Sequence, residues 1–297
     1  MFLFLRCALR CFSRRCTIIS VLTALFALSG CSAIRLGYNN APDLGYWYLD
    51  NYVDFDSAQS TRLKADLQAL QDWHRKEALP QYAELLKTLQ PLAQQSLSND
   101  QVCALYDTIE RQLVVSADRM LPTAVALTPT LQPRQLENLA RTWEKHNKER
   151  REEWLEGTAE DRLKLRMKKL LDRVESFYGR QSEAQVKQLA ALLEASPFDG
   201  ALQYQETLRR QQDILQTVKA LRVGAPEAQM QAQLHALLER SLHSPDPTLR
   251  QYQMRLRLHT CSLVEALHNQ ATPAQRNKLL QTLQGYDADA RALMAAR

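Results

Sequence analysis

Glycine is scarce in this chain, at 8 of 297 residues. No glycine-rich loop of the kind that cradles a phosphate is present, so a nucleotide is not an expected ligand. A His-Glu-x-x-His pair and a serine nucleophile elbow are also absent. No stretch sustains the apolar–polar alternation of a strand. No residue stands out as a catalytic group, and the expectation is a protein that is not an enzyme, the less favoured alternative being an enzyme acting on peptidoglycan or lipid. What the chain has in quantity is Leu, Ala, Gln, Glu and Arg, which favour helices. The expected fold class is all-α, an elongated multi-helix bundle of about ten helices.

Long apolar runs are nearly absent too. The one candidate, Thr17 to Leu28, is shorter than the roughly 20 residues a spanning helix needs. It follows Arg6, Arg10, Arg14 and Arg15 and ends in Leu28-Ser29-Gly30-Cys31. A basic segment, a short greasy core and small residues before a cysteine read as a bacterial lipoprotein signal peptide. Cys31 is then lipidated on its thiol, the peptide is cut before it, and the new amine is acylated. This covalent lipid is the only cofactor expected. Ser32 stands where an aspartate would retain the protein at the inner membrane, which favours the outer membrane, facing the periplasm. The expected organisation is a signal peptide over 1–30, a lipid anchor and aromatic tether over 31–53, and a helical domain over 54–297. The tether is too aromatic to be disordered and is expected to pack on the body, the alternative being the bilayer interface.

That motif changes the charge and the cysteine count. The whole chain carries 38 basic and 33 acidic residues. Removing four arginines and no acid leaves the mature part near neutral, so its apparent basicity argues little for nucleic acid. Cys7, Cys11 and Cys16 leave with the signal, and Cys31 carries lipid. Cys103 and Cys261 remain. In an oxidising compartment they are a natural disulfide pair, the alternative being two buried free thiols. A metal site is not expected, because neither has a Cys or His nearby at ligand spacing.

From Asp56 onward the pattern is helical. Helices are expected near 57–77, 81–96, 99–119, 133–156, 159–179, 183–195, 198–222, 227–243, 247–270 and 274–295, with prolines mostly at their edges. Leu163, Met167, Leu170, Val174 and Phe177 form a heptad-like seam that reads as bundle core. His259 shares a face with Leu249, Tyr252, Leu256 and Leu263 and reads as a hydrogen-bonded core histidine. A recurring start, Ser98-Asn-Asp-Gln101, Ser182-Glu-Ala-Gln185 and Thr272-Pro-Ala-Gln275, reads as a capping box. Gln132-Pro-Arg-Gln135 and Pro226-Glu-Ala-Gln229 are looser versions. These boxes also resemble the Leu-Thr-x-x-Gln motif of small periplasmic chaperones of the Spy and CpxP type. That resemblance implies an all-helical protein that binds unfolded clients.

Two groups of residues are candidates for recognition. Trp143 and Trp154 are three helical turns apart and share a face. Between them lie His146, Asn147, Arg150 and Arg151, so Trp143, Arg150 and Trp154 offer an aromatic and cationic surface to a partner. The alternative is a solvated helix whose tryptophans pack at its ends. The second group is Tyr38, Trp47, Asp54, Trp73, His74 and Arg75, a polar–aromatic set that can line a groove or build a structural cluster. Asp54 or Asp56 can cap the first helix, with Gln59 completing a box.

The N-terminal third is distinctive as a string: Arg35-Leu-Gly-Tyr38-Asn39-Asn40-Ala41-Pro42, then Tyr46-Trp47-Tyr48-Leu-Asp50, Tyr52-Val-Asp54-Phe-Asp56 and Gln59. Trp73-His74-Arg75-Lys-Glu-Ala-Leu79-Pro80-Gln-Tyr82-Ala83 follows. It resembles a family of proteobacterial lipoproteins known as domain of unknown function 6279. The resemblance implies an all-helical, lipid-anchored envelope protein and supplies no activity. The expected partners are the membrane, through the anchor, and another envelope protein or an unfolded client.

Overall fold

The structure, a computed structural model, describes residues 29–296. The signal segment expected over 1–30 lies outside the described residues except for its last two. Among the described residues there is no strand, and thirteen α-helices follow one another. They are α1 (Ser29–Asn39), α2 (Ala41–Val53), α3 (Ser57–Trp73), α4 (Leu79–Leu92), α5 (Asn99–Asp118), α6 (Leu121–Leu127) and α7 (Pro133–Trp154). After these come α8 (Ala159–Tyr178), α9 (Glu183–Glu194), α10 (Gly200–Leu221), α11 (Glu227–Leu242), α12 (Pro247–Asn269) and α13 (Pro273–Ala295). Helices α1, α2 and α6 are additional to the ten expected. No helix among the described residues is long and apolar enough to cross a membrane.

Residues 31–53, expected as a tether, are helical instead. Asn40 and Pro42 start α2, with Asp43 in its first turn. The helix ends because Asp54 adopts the left-handed conformation, φ 61°. The Asp50 carboxylate holds that end by accepting from the Phe55 N–H at 2.9 Å. The helices expected over 57–77 and 81–96 also differ from expectation. They are joined by a π-helical turn, His74–Ala78. Pro80 supplies the reason: it has no N–H for the Lys76 carbonyl, and in a regular α-helix its ring would clash with that carbonyl. One extra residue in the turn absorbs both defects.

The core is divided among three clusters. Leu79 and Ala83 of α4 meet Ala290 and Leu293 of α13, with Tyr38 of α1 against them. Val174 and Tyr178 of α8 pack with Leu189 of α9 and Leu267 of α12, and Met167, Leu170 and Phe177 of the predicted seam join them. Val125 of α6, Leu221 of α10 and Met230, Leu234 and Leu237 of α11 make the third. A disulfide between Cys103 of α5 and Cys261 of α12 closes a separation of 158 residues. Asp107 pairs with Arg257 one turn further along the same antiparallel helices.

The capping boxes do more than start helices. Asp56 caps α3, and its N–H donates to Gln59 Oε1 at 3.0 Å. The Gln132 N–H donates to Gln135 Oε1 at 2.8 Å at the start of α7. The two glutamines then clasp each other, Gln135 Nε2 to Gln59 Oε1 at 2.7 Å and Gln59 Nε2 to Gln135 Oε1 at 3.2 Å. Both are buried. The same clasp recurs between the boxes of α9 and α13, Gln185 Nε2 to Gln275 Oε1 at 2.8 Å and the return bond at 3.1 Å. Each amide thus satisfies a helix end and a neighbour at once. The box expected at Pro226–Gln229 does not form, because Pro226 has no side chain able to accept the bond.

Candidate functional site

The π-helical turn gathers part of the N-terminal candidate set. Tyr38 Oη lies 3.0 Å from His74 Nδ1. The His74 ring stacks on Tyr82 at 5.6 Å between centroids and meets Trp73 edge-on. The Arg119 guanidinium lies over Trp73 at 4.8 Å. Arg75 donates to Asn39 Oδ1 at 3.0 Å and to the Ala296 carbonyl at 3.3 Å, tying α1 to the C-terminal end. Burial lowers the pKa of His74 and raises those of Tyr38 and Tyr82, so imidazole and phenols stay neutral together. These groups are satisfied mainly by one another. The junction locks α1, α3, α4 and α13, which suits a structural cluster better than a groove.

Trp47 and Asp54 are not part of it. Trp47 stands on the outer face of α2, 68% exposed. Asp54 terminates α2 and pairs with Arg134 at 2.9 Å. Asp56, rather than Asp54, caps α3.

Two of the second candidate group, Trp143 and Trp154, line hollows beside α10. Helices α7 and α10 run antiparallel, held by a reciprocal amide pair, Asn147 Nδ2 to Gln211 Oε1 at 2.6 Å and Gln211 Nε2 to Asn147 Oδ1 at 3.0 Å. They enclose a groove of about 800 Å³ whose aromatic and apolar floor is Trp143, Tyr204, Leu208 and Leu215. Lys145, Lys148 and Arg151 line it against Glu144. A shallow hollow lined by Leu155, Ala201, Tyr204 and Leu208 adjoins it, and shares Leu155 and Ala201 with a further hollow of about 400 Å³ containing Trp154, Arg162, Arg166 and Phe198. Arg166 lies over the Phe198 ring at 4.3 Å, and burial lowers its pKa. The close end of the groove depends on Gly200, where a Cβ would sit 2.4 Å from the Trp154 carbonyl oxygen.

Trp143 and Trp154 therefore share a face, and that face looks along α10. Arg150 bonds Asn147 Oδ1 at 3.3 Å and lies near Tyr52 rather than lining the groove. Tyr52, stacked on His146 at 5.6 Å, has its pKa pushed up to about 12 by burial first and by the Tyr48 hydroxyl next. His259 is half-buried with Nε2 2.9 Å from the Leu192 carbonyl.

Sequence reasoning missed the α10 side of the groove and the ionic knot behind it. Buried Glu206 binds Arg209 and Arg210 at 2.8 Å and accepts from Ser244 at 3.1 Å. Asp213 binds Arg240 at 2.8 Å. Burial opposes the Glu206 charge, yet the Arg209 and Arg210 bonds outweigh it and hold its pKa below the usual range. The i,i+4 spacings of Glu206–Arg210 and Arg209–Asp213 were the available signal. No group of three or more His, Cys, Asp or Glu among the described residues is placed to hold a metal ion.

Fold and site together define an all-α bundle of capped helices with a disulfide staple and an aromatic, cation-lined groove. Residues 51–248 match the family described as "Family of unknown function (DUF6279)", and the chain belongs to it. No curated protein and no solved structure matches the chain.

Proposed function

We propose that this is a non-enzymatic binding or scaffolding lipoprotein of the cell envelope, anchored to the outer membrane through Cys31 and facing the periplasm. The observation that carries the binding role is the α7/α10 groove. Its aromatic floor and cationic edge sit on two helices fixed to each other by the reciprocal Asn147–Gln211 amide pair, a preorganised surface for a segment of another envelope protein. The anchor rests on the Leu28-Ser29-Gly30-Cys31 motif. The binding role is tested by placing a photo-cross-linking residue at Tyr204 or Lys148 in living cells, with Lys187 on α9 as a control position. One discrete adduct from the groove positions and none from the control supports the reading. Equal labelling at all three defeats it. The anchor is tested separately: Cys31→Ala must abolish processing and membrane fractionation.

A chaperone role of the Spy and CpxP kind is the second reading. It is favoured by an exposed apolar stripe, Tyr106, Ile109 and Leu113 on α5 beside Met254 and Leu258 on α12. Suppression of aggregation of a denatured client at near-stoichiometric amounts would support it, and no effect would remove it.

A further inference from the structure

Helix α2 presents two unlike faces. One is fixed to the body: Tyr46 Oη meets Ser60 Oγ at 2.9 Å, and the Asn138 amide donates to the Tyr52 carbonyl at 3.0 Å. The opposite face carries Leu44, Trp47 and Tyr48, 55%, 68% and 56% exposed. Their i, i+3, i+4 spacing puts them side by side on one stripe. Ile34 and Leu36 of α1 are exposed as well. None of these five is charged, and the only acid in the first turn of α2 is Asp43. Large aromatic and aliphatic side chains turned outward from a well-anchored helix need an occupant.

The position of Cys31 says which occupant. It lies within α1, five residues before Leu36, about 7.5 Å of helix rise. There is no slack tether between the lipidation site and the body. Helix α1 is itself pinned to α13 by Arg35 and Asp289 at 2.9 Å. Acyl chains on Cys31 therefore hold α1, and α2 directly after it, close to the bilayer surface. Trp and Tyr favour the interfacial zone, where an apolar ring and a polar edge are both accommodated.

We infer that the exposed Leu44–Trp47–Tyr48 face of α2 is an interfacial membrane-docking surface that seats the body in one orientation on the lipid bilayer. The inference rests on the Cys31 anchor proposed above. The lipid provides attachment, and the helix face provides orientation. Because α2 packs on α7, the groove is then held at a fixed height above the membrane rather than swinging on a leash.

The test uses mature lipidated protein in phosphatidylethanolamine–phosphatidylglycerol vesicles whose acyl chains carry bromine. The bromines quench a tryptophan at the interface, and Trp73, Trp143 and Trp154 serve as internal controls. The expected result is quenching in the wild type that is lost in Trp47→Phe and reduced in Leu44→Asp, with flotation of both variants unchanged. Flotation without Trp47-dependent quenching overturns the docking surface and leaves the anchor intact. Unchanged flotation of Cys31→Ala with quenching retained overturns the anchor and leaves the docking surface. Rapid disulfide cross-linking between copies through Trp47→Cys on the vesicles, with no lipid quenching in the wild type, assigns the face to a second copy and overturns the inference.

Discussion

Replacing Gln135 by alanine removes a side chain that is 0% exposed and joins two helix starts. Its Nε2 donates to the Asp54 carbonyl at 2.8 Å and to Gln59 at 2.7 Å, while its Oε1 accepts from the Gln132 N–H. Each such bond contributes about 1 kcal/mol net, and stranding a buried partner costs about 1–3 kcal/mol more. The expected loss is therefore about 3 kcal/mol. Gln101 provides the comparison: it closes the same kind of box at an exposed helix start, through its bond to the Ser98 N–H at 2.8 Å. Gln101→Ala should cost only about 1 kcal/mol, the usual value of a cap. Urea unfolding followed by far-ultraviolet circular dichroism measures both. A double-mutant cycle over Gln59→Ala and Gln135→Ala should show a coupling of about 1–2 kcal/mol. Equal costs for Gln135→Ala and Gln101→Ala, or strict additivity in the cycle, would refute the argument that the clasp stabilises the bundle beyond ordinary capping.

Three further outcomes are expected. Opening the Cys103–Cys261 disulfide by replacing both cysteines with alanine frees a loop of 158 residues' separation; loop entropy alone sets a ceiling of about 5 kcal/mol on the loss, readable as a lower unfolding midpoint, and the non-reduced, denatured mature protein should titrate no thiol from either residue. Gly200→Ala drives a Cβ to within 2.4 Å of the Trp154 carbonyl and should cost about 1–3 kcal/mol, measured by thermal melting. Finally, burial lowers the pKa of His268, whose Nδ1 faces Tyr178 at 2.9 Å and whose Nε2 faces the Gln95 carbonyl at 2.7 Å. As pH falls below the unfolded value of about 6.5 the unfolded chain takes the proton first, so stability falls toward acid and is recovered above it. His268→Gln should be less stable at pH 7.5 and show a flatter melting-temperature profile between pH 7 and 5; an equally steep profile counts against the assignment.

Much of the architecture was legible because it is local. Capping residues, prolines and helical periodicity act within one or two turns, so eight of the ten helix spans were readable to within two residues, the exceptions being the two that flank the π-helical turn. Gln59, Gln135, Gln185 and Gln275 were readable as box glutamines for the same reason. Their pairing was not, because nothing within four residues says which two helix starts meet. The π-helical turn at His74–Ala78 escaped notice because Pro80 reads as a break unless packing on both sides rewards continuity. Residues 31–53 read as an aromatic tether packed on the body or lying against the bilayer interface, with no helix expected there. Tertiary contacts to α3, α7 and α13 made them helices. The candidate aromatics were split in the same way: Tyr38, Trp73, His74 and Arg75 converged, while Trp47 stayed on the surface and Asp54 became a helix terminus. Sequence alone determined the helical class and most of the cap positions, and cysteine counting pointed to the Cys103–Cys261 pair, because propensity, hydrogen-bond satisfaction and counting need no knowledge of neighbours. Only the tertiary structure decided which surfaces stay open, because exposure of Trp47 or the groove beside Tyr204 is a property of what the rest of the chain leaves uncovered.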